Sequence, residues 1–301
     1  MALRQPGVLD FGSLGLISMM FGSAFFLMKI AAESIPVILV VFLRLFIALI
    51  LIFLFLKFKS LNIKNSYKFW TNCLSLGFVA NIIPFSLLTW SEQYIDSTVA
   101  SIYITATPVF AVLIAHFGSH DEKFKPRTAI GILIGLSGTL FLLKDGFKAV
   151  SSENLIAQGA CLLAAFCYAF SRVQTRKISD HHPVVISFGV LLCAVLEMLP
   201  FVSYNLLSGT IPFNPSLSGI LAVILLGIFP TALAFILVYR LIAEVGAVFL
   251  TTTNYLVPVF GALWGYIFLS EHITSELILC FLTIVIGLWI AKGRFGRRKD
   301  V

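Results

Sequence analysis

An all-α integral membrane fold of ten transmembrane helices, arranged as two inverted-topology five-helix repeats, is predicted by three observations. Hydrophobic residues fill 59% of the 301 positions and charged residues only 12%, too little polar surface for a water-soluble globule of this size. The apolar stretches are continuous rather than alternating with a period of two, which selects helices over a closed barrel. Displaced by 150 positions, the chain also matches itself.

A crossing helix needs about 20 apolar residues. That ruler gives spans 1 to 5 at residues 11–30, 35–55, 69–90, 97–117 and 127–143. Spans 6 to 10 follow at 154–171, 183–207, 217–239, 246–269 and 275–291. Span 1 is expected to stay in place as a helix. Arg4 is only a weak basic leader, and the apolar run behind it is too long for a cleavable signal.

Lys and Arg in short loops stay on the cytoplasmic side. With the N-terminus inside, that side holds 17 basic residues, from Arg4 through the Lys57–Lys68 and Lys123–Arg127 groups to the tail after Lys292. The opposite side holds Lys29, Lys144 and Lys148, and Arg44 lies within a span. Both termini are therefore expected in the cytoplasm, at an inner membrane. The formal charge of +7 reads as orientation, and no nucleic-acid partner is expected. Cys73, Cys161, Cys167, Cys193 and Cys280 fall in apolar segments without a CxxC pair, as packing residues do.

The internal repeat aligns residues 76–117 with 226–267 without a gap. It pairs Gly77 with Gly227, Phe85 with Phe235, and Pro108-Val109-Phe110 with Pro258-Val259-Phe260. Near-identical offsets pair Lys29 with Arg176, Pro36 with Pro183, Glu122 with Glu271 and Gly138 with Gly287. The halves are accordingly 1–148 and 149–301. Five spans per half is odd, so the second half enters from the opposite face. Inverted repeats of this kind place a substrate near the midplane and open alternately to each side.

These residues resemble the drug/metabolite transporter superfamily, EamA-like family. The resemblance rests on Gly22-Ser23 of span 1, Pro36 and Arg44 of span 2, and the Thr107-Pro108-Val109 and Val257-Pro258-Val259 segments. An acidic residue also opens the last helix of each half. Phe21 stands where the family often has Trp, and the second half lacks a Gly-Ser counterpart. The resemblance implies a secondary transporter, an exporter or exchanger of a small organic metabolite such as an amino acid or related compound. It implies no cofactor.

Candidate residues come from polar or aromatic tips at membrane depth. In spans 4 and 9, Ser97, Ser101, Thr105 and Pro108 form a stripe mirrored by Ala247, Thr251, Tyr255 and Pro258, a spacing that keeps each set on one helix face. The stripe suits the lining of a cavity or the bonding of one helix to another, and packing is the favoured reading. Tyr103, Thr107, Thr253 and Asn254, just off it, suit a wet cavity. Asn81 and Phe85 of span 3 match Thr231 and Phe235 of span 8, and Phe21, Ser23 and Tyr168 add candidates from spans 1 and 6. Aromatic walls with few hydrogen-bonding tips fit a modestly polar solute, although most of the 29 Phe residues must face lipid or pack.

Pro84, Pro108, Pro230 and Pro258 each remove a backbone hydrogen bond within a span. Pro108 and Pro258, at matching positions, are candidate gates. Arg44 and Glu197 are ionisable residues inside spans, where charge is costly, and Glu197 is a candidate for proton coupling against the plainer reading of a neutral or paired carboxyl. Lys29 and Arg176 are expected to snorkel to headgroups. Gly131 with Gly135, and Gly261 with Gly265, form small-residue faces for close helix approach, within one chain or in a homodimer.

An intramembrane enzyme would need convergent chemistry, and neither HExxH, GxSxG nor a metal-ligand cluster occurs in the sequence. The loop residues His120-Asp121-Glu122 and His181-His182 read as solvated. A channel would need a charged ring or a filter-like run of carbonyls, and none is visible.

Overall fold

A computed structural model of the chain describes residues 4–63, 66–107, 152–178, 180–208, 214–245 and 253–292, with isolated positions between them. Span 5 apart from isolated positions, Pro108, Gly131, Gly135 and the His120-Asp121-Glu122 loop lie outside the described residues. All regular structure among the described residues is helical. The helices are α1 (Val8–Ala32), α2 (Val37–Phe58), α3 (Tyr67–Ser91) and α4 (Ser97–Ala106). After the undescribed stretch come α5 (Ser152–Thr175) and α6 (Pro183–Leu207). Helix α7 is assembled from Leu217–Leu226, Gly227–Leu233 and Ala234–Glu244, and α8 (Thr253–Leu269) and α9 (Ser275–Lys292) follow.

Six of these helices are long and apolar enough to cross a membrane. Helix α2 is the most apolar, with a mean hydropathy of 3.3. Phe53, Leu54, Leu196, Phe201 and Leu221 point outward, the inside-out distribution of a helix bundle solvated by lipid. This is a multi-pass membrane protein.

Local chemistry sets the helix ends. His182 accepts from the Val184 N–H at the start of α6, with Pro183 at the first helical position. Ser216 likewise accepts from the Gly219 N–H at the start of α7. Helices α3 and α7 each contain a widened π-helical stretch, Phe78–Ile82 and Gly227–Leu233. Pro84 stands two residues after the first and Pro230 lies inside the second. Proline lacks the N–H that would close an ordinary turn, so Pro230 leaves the carbonyl of Leu226, four residues back, without its helical donor. Asn81 Nδ2 donates to the Leu76 carbonyl at 3.2 Å, and Thr231 Oγ1 donates to that of Leu226 at 2.7 Å.

Packing relies on close approach, because lipid is as apolar as leucine and burial alone brings no helices together. A Cβ on Gly22 would stand 2.6 Å from Phe260 Cβ, so α1 presses against α8. One on Gly77 would stand 2.9 Å from the Ala194 nitrogen of α6, and one on Gly227 2.6 Å from Ile47 of α2. Gly261 meets Ser101, and Gly265 meets Thr98. The Gly261–Gly265 face is thus occupied by α4 of the same chain.

Candidate solute cavity

Leu14 and Ile17 of α1 pack with Leu241, Val245 and Leu250, which defines a basal face carrying the start of α1 and the end of α7. There the Arg4 guanidinium pairs with Asp10 at 2.6 Å and Glu244 at 2.7 Å. These hydrogen bonds raise the Arg4 pKa, and those from Arg240 and Arg4 lower that of Glu244. The opposite, apical face carries Lys29, Glu92, Asp96 and Glu271.

Between the faces lies a cavity of about 510 Å³. It runs from Thr175 and Val245, at the basal ends of α5 and α7, to Met28 and Leu88, near the apical ends of α1 and α3. The volume matches sites for small organic molecules. Helices α1 to α5, α7 and α8 all contribute to its walls.

Arg44 of α2 sits on that wall, 2% exposed. Its Nε and Nη2 donate to the Thr231 hydroxyl at 3.3 and 3.1 Å, and Nη1 to the Met28 sulfur at 3.3 Å. The Phe85 ring lies 3.7 Å beneath the guanidinium carbon, a cation–π contact worth about 2 kcal/mol when desolvated. The widened turn of α7 explains how Thr231 serves: its proton goes to Leu226 and its lone pairs are left for Arg44.

Beyond Met28 the apical end is tied shut. Lys29 Nζ reaches Asp96 at 3.1 Å and Glu271 at 3.0 Å. The Glu271 carboxylate also accepts from the backbone N–H of Ser97 (2.8 Å) and of Thr98 (2.9 Å), and from both hydroxyls. A residue from the α8–α9 connection therefore caps the start of α4. Ser270, with φ of 54°, turns the chain so that the Glu271 N–H donates to the Gly265 carbonyl. Burial pushes the Glu271 pKa up, but these donors outweigh it and the net shift is downward. Glu92 behaves oppositely. It is 1% exposed, and neither carboxyl oxygen has a hydrogen-bond partner among the described residues. Burial pushes its pKa well above the usual carboxylate value, against the pull of Lys29.

Of the sequence candidates, Phe21, Asn81, Phe85 and Tyr168 line the cavity, as do Phe235, Thr253 and Pro258. Thr231 stands behind Arg44. Four others turn away. Ser23 bonds back to the Met20 carbonyl, and Thr107 to that of Ile104. Tyr103 is buried and donates to Gln158 at 3.0 Å. Glu197 lies on α6 against Gly77, with Oε2 buried and without a hydrogen-bond partner among the described residues, and no ion pair joins it to Arg44 there although α2 and α6 pack together. The Asn254 side chain lies outside the described residues, like Pro108. In α4 it is the stripe residues Ser101 and Thr105 that reach the cavity, while off-stripe Tyr103 packs. Lys29 is not merely a snorkelling lysine, because two carboxylates hold it.

Sequence reasoning did not select Arg172, Phe25 or Tyr239 as cavity residues, yet all three line it. Glu92 was also missed. It sits in a loop-like Ser-Glu-Gln-Tyr stretch that gives no sign of burial.

Comparison with known proteins agrees with this architecture. The profile of the EamA-like transporter family matches twice, at residues 12–144 and 155–292. The chain is similar to the uncharacterized transporter YoaV of Bacillus subtilis, 26% identical, covering 95% of this chain and 98% of that one. It is similar also to the uncharacterized inner membrane transporter YedA of Escherichia coli, 25% identical over 85% of this chain and 81% of that one. Protein PagO of Salmonella typhimurium is 24% identical, with 91% and 90% covered. A crystal structure shares the fold with a TM-score of 0.65 and 22% identity, covering 92% of this chain and 95% of the other.

Proposed function

We propose, from the premise that the chain belongs to the EamA-like transporter family, that it moves a small organic solute across the inner membrane by alternating access. The observation that carries this reading is the central cavity, which reaches the basal ends of α5 and α7 while the Lys29–Glu271 lattice ties its apical end. The basal face is then the cytoplasmic one, with both termini on it, and the conformation is the one loaded from that side. YedA's description as an inner membrane transporter supports the location.

In this reading the halves 1–148 and 149–301 form ten helices related by a two-fold axis in the membrane plane. Reciprocal contacts support it: Gly77 of the first half meets α6, the counterpart of α2, and Gly227 of the second half meets α2. The widened turns with side-chain bonds Asn81 to Leu76 and Thr231 to Leu226, 150 residues apart, support it as well. So does the double match of one family profile. Pro258, on the cavity wall, is the gating candidate, and Glu197 the coupling candidate.

Counterflow in proteoliposomes tests transport, after a thermal-shift screen of pooled metabolites finds a ligand. Preloaded unlabelled solute accelerates labelled uptake by a carrier. Chemical alteration of the solute would indicate an enzyme instead, and flux without exchange acceleration a channel. Terminal reporter fusions falling on opposite sides of the membrane would overturn the inverted arrangement. Unchanged pH dependence in Glu197→Gln would remove that residue from coupling.

A further inference from the structure

Resting on the cavity as the transport site, we infer that the solute is a net-negative organic carboxylate with an apolar or aromatic body, and that Arg44 is the group that receives its carboxylate. A guanidinium has five N–H donors. Among the described residues, three of them are directed at two acceptors, one of which is the weak thioether of Met28. The ion pairs of Arg4, Lys29 and Arg240 lie toward the two faces. Arg44 has no carboxylate within pairing distance among the described residues, although a buried cation without a counter-charge is costly.

The rest of the wall points the same way. Arg172 also faces the cavity, toward its basal end, whereas no Asp or Glu appears among its described lining residues. Predicted spans 4 and 9 agree in sequence, because residues 97–120 and 246–270 contain no Asp or Glu. A zwitterion would bring its ammonium group close to Arg44, which pairs with no carboxylate among the described residues. A monocarboxylate meets complementary charge at Arg44, and the rings of Phe21, Phe25, Tyr168 and Phe235 on the same cavity wall take its apolar body. Phe85 beneath the guanidinium and Thr231 at its edge hold the fork still, so little side-chain entropy remains to be lost on binding. A phosphate ester, with more charge to neutralise, fits a wall with a single fully buried arginine less well.

The test uses the purified full chain in detergent at neutral pH. Benzoate, phenylacetate and isocaproate are each titrated beside the corresponding amide, with phenylalanine and phenyl phosphate alongside, and melting temperature and Kd are read. At least one acid is expected to raise the melting temperature and to bind about tenfold tighter than its amide, the advantage of a charge-assisted hydrogen bond. Phenylalanine and phenyl phosphate are expected to bind more weakly than that acid. Arg44→Gln should abolish the preference for acid over amide. If that variant does not fold, Thr231→Val, which removes the acceptor aiming the guanidinium, should reduce it. Equal affinity for acid and amide, tighter binding of phenylalanine or phenyl phosphate, or no binding of any acid would each overturn the inference. Carboxylate binding without counterflow would sink the transport reading and leave this one standing. Counterflow of a neutral or cationic solute without carboxylate binding would do the reverse.

Discussion

Lys29 Nζ lies 3.0 Å from the carboxylate of Glu271, 242 residues further along the chain, and the same carboxylate caps the first two N–H groups of α4. One side chain thereby joins the end of α1, the start of α4 and the α8–α9 connection at the apical mouth.

Removing that carboxylate leaves buried N–H and hydroxyl donors without an acceptor. Glu271→Ala is expected to destabilise the protein by about 2–3 kcal/mol, seen as a lower melting temperature in detergent. The apical mouth should loosen too, read as faster labelling of a cysteine introduced beside Asp96. An unchanged melting temperature would contradict the capping role.

Glu271 and Glu92 should give the protein opposite responses to pH. The Glu271 pKa is lowered, so its contribution is complete above the ordinary value of 4.5 and is lost as pH falls through the lowered one. The Glu92 pKa is raised well above 4.5, so the folded state holds its proton longer than the unfolded chain and stability declines as pH rises from 4.5 toward the raised value. Glu92→Gln keeps the shape without the ionisation. It is expected to melt higher than wild type on the alkaline side and to show a flatter pH profile.

Gly22 permits the contact between α1 and α8. Gly22→Ala is expected to cost about 1–3 kcal/mol through overpacking against Phe260 and Gly261. Gly12→Ala and Gly15→Ala, where an added Cβ meets nothing within 4 Å, are expected to be neutral or slightly stabilising because alanine favours helix. Melting temperatures of the three variants decide the point.

Thr231 provides the acceptor for two Arg44 N–H groups. Thr231→Val should destabilise by about 1–3 kcal/mol by leaving that buried guanidinium underbonded, whereas Thr231→Ser should stay close to wild type. Equal losses for both variants would assign the effect to packing of the Thr231 methyl group instead.

Helix positions were legible because crossing lipid demands long apolar runs. Residues 183–207 and 275–291 anticipate α6 and α9 to within a residue. The start of span 8 at residue 217 was legible too, but its end was extended in the structure to Glu244, where pairing with Arg4 and Arg240 holds the last turn. Side-chain direction was much less legible. Spacing put Ser101 and Thr105 on one face but not against which neighbour, and a hydroxyl such as that of Thr107 can always fold back onto its own helix.

By itself the sequence determined that this chain lives in lipid as helices and where its long apolar helices run, because both follow from hydropathy along the chain. Only the tertiary structure decided that Arg44 faces a cavity beside Phe85 and Thr231, that Glu92 is buried, and that Glu271 meets Lys29. Those facts depend on how helices rotate and lean against partners far away in sequence, and packing at glycine contacts such as Gly22 and Gly261 fixes that rotation.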